Sequence, residues 1–315
     1  MKMIQKCMLS VLLFSVLASA SFVLAQEESY EEKLKKHRED SLRIIAKNKQ
    51  KALEKDLIDK QNTVRIAYNE GLKLMRVRQD ERAIQSLKKA TNVDIDGVDD
   101  TKAKAFYLQA FCEKRLRRYN DAIASYQNAI EVNSNYTEAH HGLAKTLSQI
   151  GKTDDAIQAF NQAIASNANY DKSHYELGKI FLEKKKNFAK AVESFRNATE
   201  ANPKHDKAFT AMGTAFLEQG KTKDAITALE AAVAVNRKNY LAHYHLSRAF
   251  NQSGNPTKAL ESAKRALQAR SNYAPAAFEA GTALKHLKRY TDAIQYFTQA
   301  SKDRTWRKNA QYEID

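Results

Sequence analysis

One dipeptide, Ala-Ile or a near equivalent, recurs seven times along the 315 residues and constrains the fold more than any other feature. It stands at Ala83-Ile84, Ala122-Ile123, Ala156-Ile157, Ala191-Val192, Ala225-Ile226, Ala259-Leu260 and Ala293-Ile294. From one alanine to the next the numbering advances by 39, 34, 35, 34, 34 and 34. A second alanine follows each by seven residues, at 90, 129, 163, 198, 232, 266 and 300. A small residue precedes each by twelve, or by thirteen in the fourth unit: Gly71, Ala110, Ala144, Gly178, Gly213, Ser247 and Gly281. A period of this length marks a chain built of stacked, near-identical units.

Bulky apolar residues surround the small ones at spacings of three and four, as with Leu143, Leu147 and Phe160, or Met212, Phe216 and Leu229. That is the face of a helix. Each unit therefore holds two helices, near 138–150 and 154–166 in the third. The small residue of the first helix is expected to face an alanine of the second, so that the two backbones approach closely. Gly151, Gly220 and Gly254 are placed to end first helices, where a left-handed residue is needed. Asp155, Asp224 and Asp292 fall at the start of second helices, where the helix dipole favours an anion.

The run Leu177-Gly178…Phe181…Ala191…Phe195…Ala198…Pro203 shows the pattern most fully. It resembles the tetratricopeptide repeat (TPR), a helix-turn-helix unit of about 34 residues. The resemblance implies an all-α fold, a right-handed α-solenoid of about seven repeats near 64–97, 103–136, 137–170, 171–205, 206–239, 240–273 and 274–307. Residues 306–314 are read as a cap on the last interface. The sequence departs from the family at the aromatic opening position, which holds His140, His174 and His243, and only Pro203 keeps the closing proline.

The ends differ in kind. Lys2 and Lys6 precede an uncharged run from Cys7 to Ala25, closing on Val23-Leu24-Ala25. Residues 1–25 are read as a signal peptide or, uncleaved, as a membrane anchor. Either reading exports the rest and places the protein in the periplasm or envelope of a bacterium. After cleavage Cys112 is the sole thiol, read as a small buried residue. Residues 26–62 carry opposite charges four apart, such as Glu31/Lys35 and Asp56/Lys60, around a broken stripe of Leu34, Leu42, Ile45, Leu53 and Leu57. They are expected to form a charged helical spacer docked in part on the first repeat, with self-association through 27–62 as the alternative. The acidic stretch 92–100 has the alternation of a calcium loop, but its twelfth position is Ala103, so an exposed loop is the reading, with Asp100 or Thr101 capping the next helix.

The chain lacks a phosphate-binding glycine loop, a paired-histidine zinc motif and a serine elbow. Three histidines sharing one repeat position suit packing better than metal ligation. No enzyme activity, cofactor or metal is expected. In the family that this sequence resembles, the second, fifth and ninth positions of the first helix face a concave groove. The fifth positions hold Tyr68, Tyr107, His141, Tyr175, Thr210, Tyr244 and Phe278. The ninth hold Leu72, Phe111, Lys145, Lys179, Thr214, Arg248 and Thr282. The resemblance thus implies partner binding through Tyr68, Tyr107, Phe111, His141, Lys145, Tyr175, Lys179, Tyr244, Arg248 and Phe278. The Lys/Asn clamp by which some members hold a C-terminal carboxylate is missing, since Tyr68/Leu72, Leu108 and His141/Lys145 occupy its first window. The net charge of +15 fits a protein or peptide partner, an anionic lipid or a cell-wall polymer. With export, it does not point to nucleic acid. A scaffold or adaptor holding a protein segment in its groove is the expected function, with a structural envelope component as the alternative.

Overall fold

The computed structural model describes residues 2–94 and 100–315, and every described element is helical. Most of the acidic stretch 92–100 lies outside the described residues. Helix α1 runs from Lys2 to Arg76 and α2 from Asp80 to Thr91. Pairs then follow in strict alternation: α3 Asp100–Arg115 with α4 Tyr119–Val132, and α5 Thr137–Gln149 with α6 Thr153–Ser166. Next come α7 Asp171–Lys179 with α8 Phe188–Ala201, and α9 Asp206–Glu218 with α10 Thr222–Val235. Then α11 Tyr240–Gln252 pairs with α12 Pro256–Ala269, and α13 Ala274–His286 with α14 Tyr290–Ser301; α15 is Arg307–Ile314.

The chain divides into two compact units, one holding the chain to Arg65 together with Val93 and Asp94 and one holding Ile66–Asn92 and the chain from Asp100 onward. In the first, residues 16–59 of α1 are exposed and burial begins at Lys60. Among the described residues no helix is long and apolar enough to cross a membrane.

In the second unit each pair packs tightly and each second helix packs on the next first helix. First helices also touch one another across units, α3 with α5, α9 with α11 and α11 with α13, whereas second helices scarcely do. Hairpins stacked this way form an α-solenoid, with the first helices lining the inner, concave face.

The helices do meet at the small residue and the alanine, but the side chain nearest the small residue is a large one of the second helix. A Cβ on Gly178 would stand 2.6 Å from Cε1 of Phe195, and one on Gly213 2.5 Å from Cγ of Leu229. The side chain over the glycine is thus the large residue four positions after the alanine. The alanine contributes backbone, its carbonyl oxygen lying 3.2 Å from that same Cβ position at Gly213. Alanine is needed because the helices meet there, and Ala83, Ala122, Ala156, Ala191, Ala225 and Ala259 are wholly buried.

Gly151, Gly220 and Gly254 take φ of 84°, 73° and 74° and end first helices as expected. The following amide closes the turn in each case, Lys152 N–H donating to Leu147 C=O at 3.0 Å. Where the glycine is absent, Arg78, Arg117, Lys186 and Lys288 take the same left-handed conformation. The extra residue of the fourth unit appears as a π-helical turn, Ile180–Lys184, continuing α7. One inserted residue is absorbed there by one widened turn. At the far end Ala310 of α15 is buried, and Trp306 and Ile314 pack on the last core cluster, so α15 closes that interface.

Candidate functional site

The inner face is lined by side chains at regular repeat positions. The fifth-position rings are half-buried; Tyr107, His141, Tyr175 and Phe278 each rest on a ring of their own second helix and on one at the end of their unit, and Tyr244 rests on the latter and on its neighbour His245. Tyr107 lies 5.9 Å from Tyr126 and 5.4 Å from Tyr136 between centroids. His141 meets Phe160 and Tyr170, and Tyr175 meets Phe195 and His205. Tyr244 meets Tyr273, and Phe278 meets Phe297 and Trp306. These rings carry packing energy, and Lys179 Nζ lies over the Tyr175 ring, 5.7 Å from its centroid. Tyr68 is also half-buried, whereas Phe111 is 38% exposed with the Arg115 guanidinium over its ring.

Ninth-position cations project beside the rings, and each finds a carboxylate. Lys145 Nζ lies 3.5 Å from Glu176 Oε1, while Lys179 Nζ donates to Glu176 Oε2 at 3.0 Å. Although burial works against both charges, this pairing holds the Glu176 carboxyl below its ordinary value and raises Lys179. Burial first, and the charge of Lys145 second, push Lys114 below the usual ammonium range. His141 is driven down to about 4 by burial and by Lys145 and is neutral at pH 7. Farther along, Arg248 faces Glu218 at 3.5 Å. Thr210, Thr214 and Thr282 hydroxyls donate to carbonyls of their own helices, which leaves that stretch less charged.

A cavity of about 520 Å³ opens on the inner face between α7, α9 and α11. Its walls combine Tyr175, Leu182 and Leu241 with Lys179, Lys207 and Lys238. Asp206 also lines it, but one of its oxygens is taken by the Asn236 and Asn239 amides at 2.7 and 3.0 Å. The ring of His245, neutral because burial lowers it to about 4, completes the wall.

The opening-position histidines have packing roles. His140, His174 and His243 each place Nε2 2.9–3.0 Å from a carbonyl oxygen of the preceding turn, those of Ser134, Ala168 and Arg237. Cys112 is fully buried, and burial raises its thiol to about 11, so it stays protonated and unreactive at neutral pH. Among the described residues no three His, Cys, Asp or Glu side chains converge as metal ligands do. Position counting brought Lys145, Lys179 and Tyr175 to one face but missed Glu176 and Lys114. They occupy the sixth and twelfth positions of their helices, and scanning those positions for charge would have found both.

Comparison with known proteins agrees with this architecture. Tetratricopeptide repeat families match residues 115–179, 171–205, 210–275 and 253–305, together more than half of the chain. No curated protein matches. Among solved structures, the C-terminal part of a TPR repeat-containing protein from Cytophaga hutchinsonii superposes with TM-score 0.62 at 15% identity, over 79% of this chain and 99% of that one. PilF of Pseudomonas aeruginosa gives 0.57 at 16% identity, covering 67% and 97%. YrrB, described as a TPR protein with an unusual peptide-binding site, gives 0.52 at 19% identity, covering 59% and 97%. Period, hairpin geometry and family match coincide, and the chain belongs to the tetratricopeptide repeat family.

Proposed function

We propose that this protein is a non-catalytic scaffold of the bacterial cell envelope, exported by its amino-terminal segment 1–25, which holds an extended segment of a partner protein on its inner face. The observation that carries this reading is the cavity of about 520 Å³ and the cation-bearing ledge beside it. Side chains of a bound strand find rings, aliphatic walls and lysines there. The peptide-binding site described for YrrB, on the same fold, supports it.

The residues to alter are those whose loss leaves the packing intact. Phe111→Ala, Lys145→Ala, Lys179→Ala and Arg248→Ala qualify, because their side chains stand on the surface of the first helices. Tyr107, Tyr175, Tyr244, His141 and Phe278 support the units themselves. Affinity capture from envelope extracts by the wild-type chain, with loss of the same partner by the fourfold variant, is the expected result. Capture undiminished by that variant overturns groove binding. Export is tested separately, by amino-terminal sequencing of the protein recovered from the envelope fraction; an intact chain recovered from the cytosol rules it out.

A second reading is favoured by α1. Leu34, Leu42, Ile45 and Leu53 are each more than half exposed, at 56, 58, 62 and 63%. Self-association through 27–62 would cover them. Sedimentation equilibrium of the chain with and without these residues decides it: an assembly that persists after deletion is not held by this helix.

A further inference from the structure

The second, third and fourth units bring three lysines to one carboxylate. Lys114 comes from α3, Lys145 from α5 and Lys179 from α7, and Glu176 of α7 stands among them. Each oxygen of Glu176 already faces one lysine, at 3.5 and 3.0 Å. The carboxylate is largely buried, 22% exposed, so these charges act on one another through a less screened medium than water. Three positive charges against one negative leave an excess of two. The charged neighbours farther out do not cancel it, because Lys172 and Glu183 add one of each sign. Arg115 of the same face is occupied by Asp80. By contrast Arg248 and Glu218 form a one-to-one pair in the later units.

We infer that the Lys114–Lys145–Lys179 centre around Glu176 receives acidic side chains of the bound partner, so that the groove selects a Glu- or Asp-bearing protein segment. The inference rests on the reading of the groove given above and adds the chemistry of its occupant. The excess charge supplies the attraction, and Glu176 holds the lysines in place until a carboxylate arrives. Lys114 is the member with most to gain, because burial and the repulsion of Lys145 both disfavour its charge in the free protein. Apolar neighbours of the acidic residue have surfaces on both sides. Phe111 lies one turn before Lys114, and the cavity walled by Tyr175 and Leu182 shares Lys179 with the centre. The lysines stand at the ninth and twelfth positions of their helices, so this arrangement differs from the carboxylate clamp whose residues the chain lacks.

The test uses the full chain and three fluorescein-labelled peptides of equal length, built on repeated Glu-Ala-Leu, Gln-Ala-Leu and Lys-Ala-Leu, with binding followed by anisotropy. The acidic peptide is expected to bind, more weakly as salt rises, and the other two at least about tenfold less well. Lys145→Met and Lys114→Met keep the aliphatic stems and should each weaken it by about five- to tenfold, with unchanged circular dichroism. Glu176→Gln should act in the opposite direction and tighten the acidic peptide several-fold, an effect that damage to the fold cannot imitate. Equal binding of all three peptides, indifferent to these variants, overturns the acidic preference and leaves groove binding standing. Binding by none of them overturns the acidic assignment, and the capture experiment then decides the groove on its own. Competition by millimolar inorganic phosphate as effective as by unlabelled acidic peptide would reduce the centre to a simple anion site and also overturn it.

Discussion

Units four (171–205) and six (240–273) share a repeat pattern and a fifth-position tyrosine, yet they fill the same space in opposite ways. In four, Gly178 lies under Phe195, and a Cβ on the glycine would collide with the ring at 2.6 Å. In six, Ser247 takes the glycine's position and Ala263 the ring's. The Ser247 hydroxyl donates to the Ala259 carbonyl at 2.8 Å, a contact from first helix to second. Both arrangements are fully buried. The period therefore fixes where the helices meet, while large and small residues trade places so long as the sum fills the gap. Charge obeys no such sum. Lys179 shares Glu176 with Lys145, whereas Arg248 pairs with Glu218 alone. Packing is constrained in every unit and the inner surface is left free to vary, which is where binding specificity can reside.

Phe195→Ala tests the packing half of this comparison most severely. It removes a wholly buried ring that supports Tyr175 and covers Gly178. A loss of about 3–5 kcal/mol is expected. Because units of a solenoid lean only on their neighbours, the damage should be local. Hydrogen exchange should quicken in α7 and α8 and hold steady in α13 and α14. A uniform rise along the whole array would contradict the unit-by-unit view.

The next effect comes from His141, which stands in unit three where four and six place tyrosine. Its ring is held down to about 4 by burial and by the charge of Lys145. Between pH 6.5 and 4 the unfolded chain carries a proton here that the folded chain refuses, so stability falls as pH drops through that window and levels off below it. The full effect is on the order of 3 kcal/mol. Glu176, held below the ordinary carboxylate range, adds its own loss as pH falls through that range toward its lower folded value. His141→Tyr removes the first contribution and should flatten the dependence of Tm on pH, leaving the part due to His245, also held at about 4, and to His243, which burial lowers as well. Superimposable profiles for variant and wild type would remove His141 from the account.

Much of this fold is legible in the sequence, for definite reasons. A residue that must be small, or must take positive φ, has few chemical choices, so Gly178, Gly151 and Ala191 announce themselves by identity and period. The thirteen-residue interval before Ala191 even signals an insertion. It does not say that a π turn at Ile180–Lys184 absorbs it, since that depends on how Phe181 and Leu182 pack. The groove is less readable. Period tells which face a ring shares but not its depth, so Tyr107 and Tyr175 read as available when half of each is bound up in its own unit. Glu176 gains Lys145 from the first helix of the preceding unit, and their meeting depends on how successive units are stacked.

The two smaller predictions sharpen the comparison at its centre. Gly178→Ala should cost about 1–3 kcal/mol by forcing a methyl against Phe195. In a Phe195→Ala background the same change should be nearly free, because the ring that it collides with is gone. An equal penalty in both backgrounds would mean that something other than the ring demands the glycine. The counterpart in unit six reverses the sign. Ser247→Ala keeps the Cβ and loses only the hydrogen bond to Ala259, a change of about 1 kcal/mol. Ser247→Gly should cost more than Ser247→Ala, since it adds the entropy of a mid-helix glycine, about 1 kcal/mol, and relieves no clash, Ala263 being too small to collide. Glycine is then a requirement in unit four and a defect in unit six, at the same repeat position. Chemical denaturation of the three variants beside wild type measures it, and a Ser247→Gly protein as stable as Ser247→Ala would show that the volume trade between the two positions does not govern their choice.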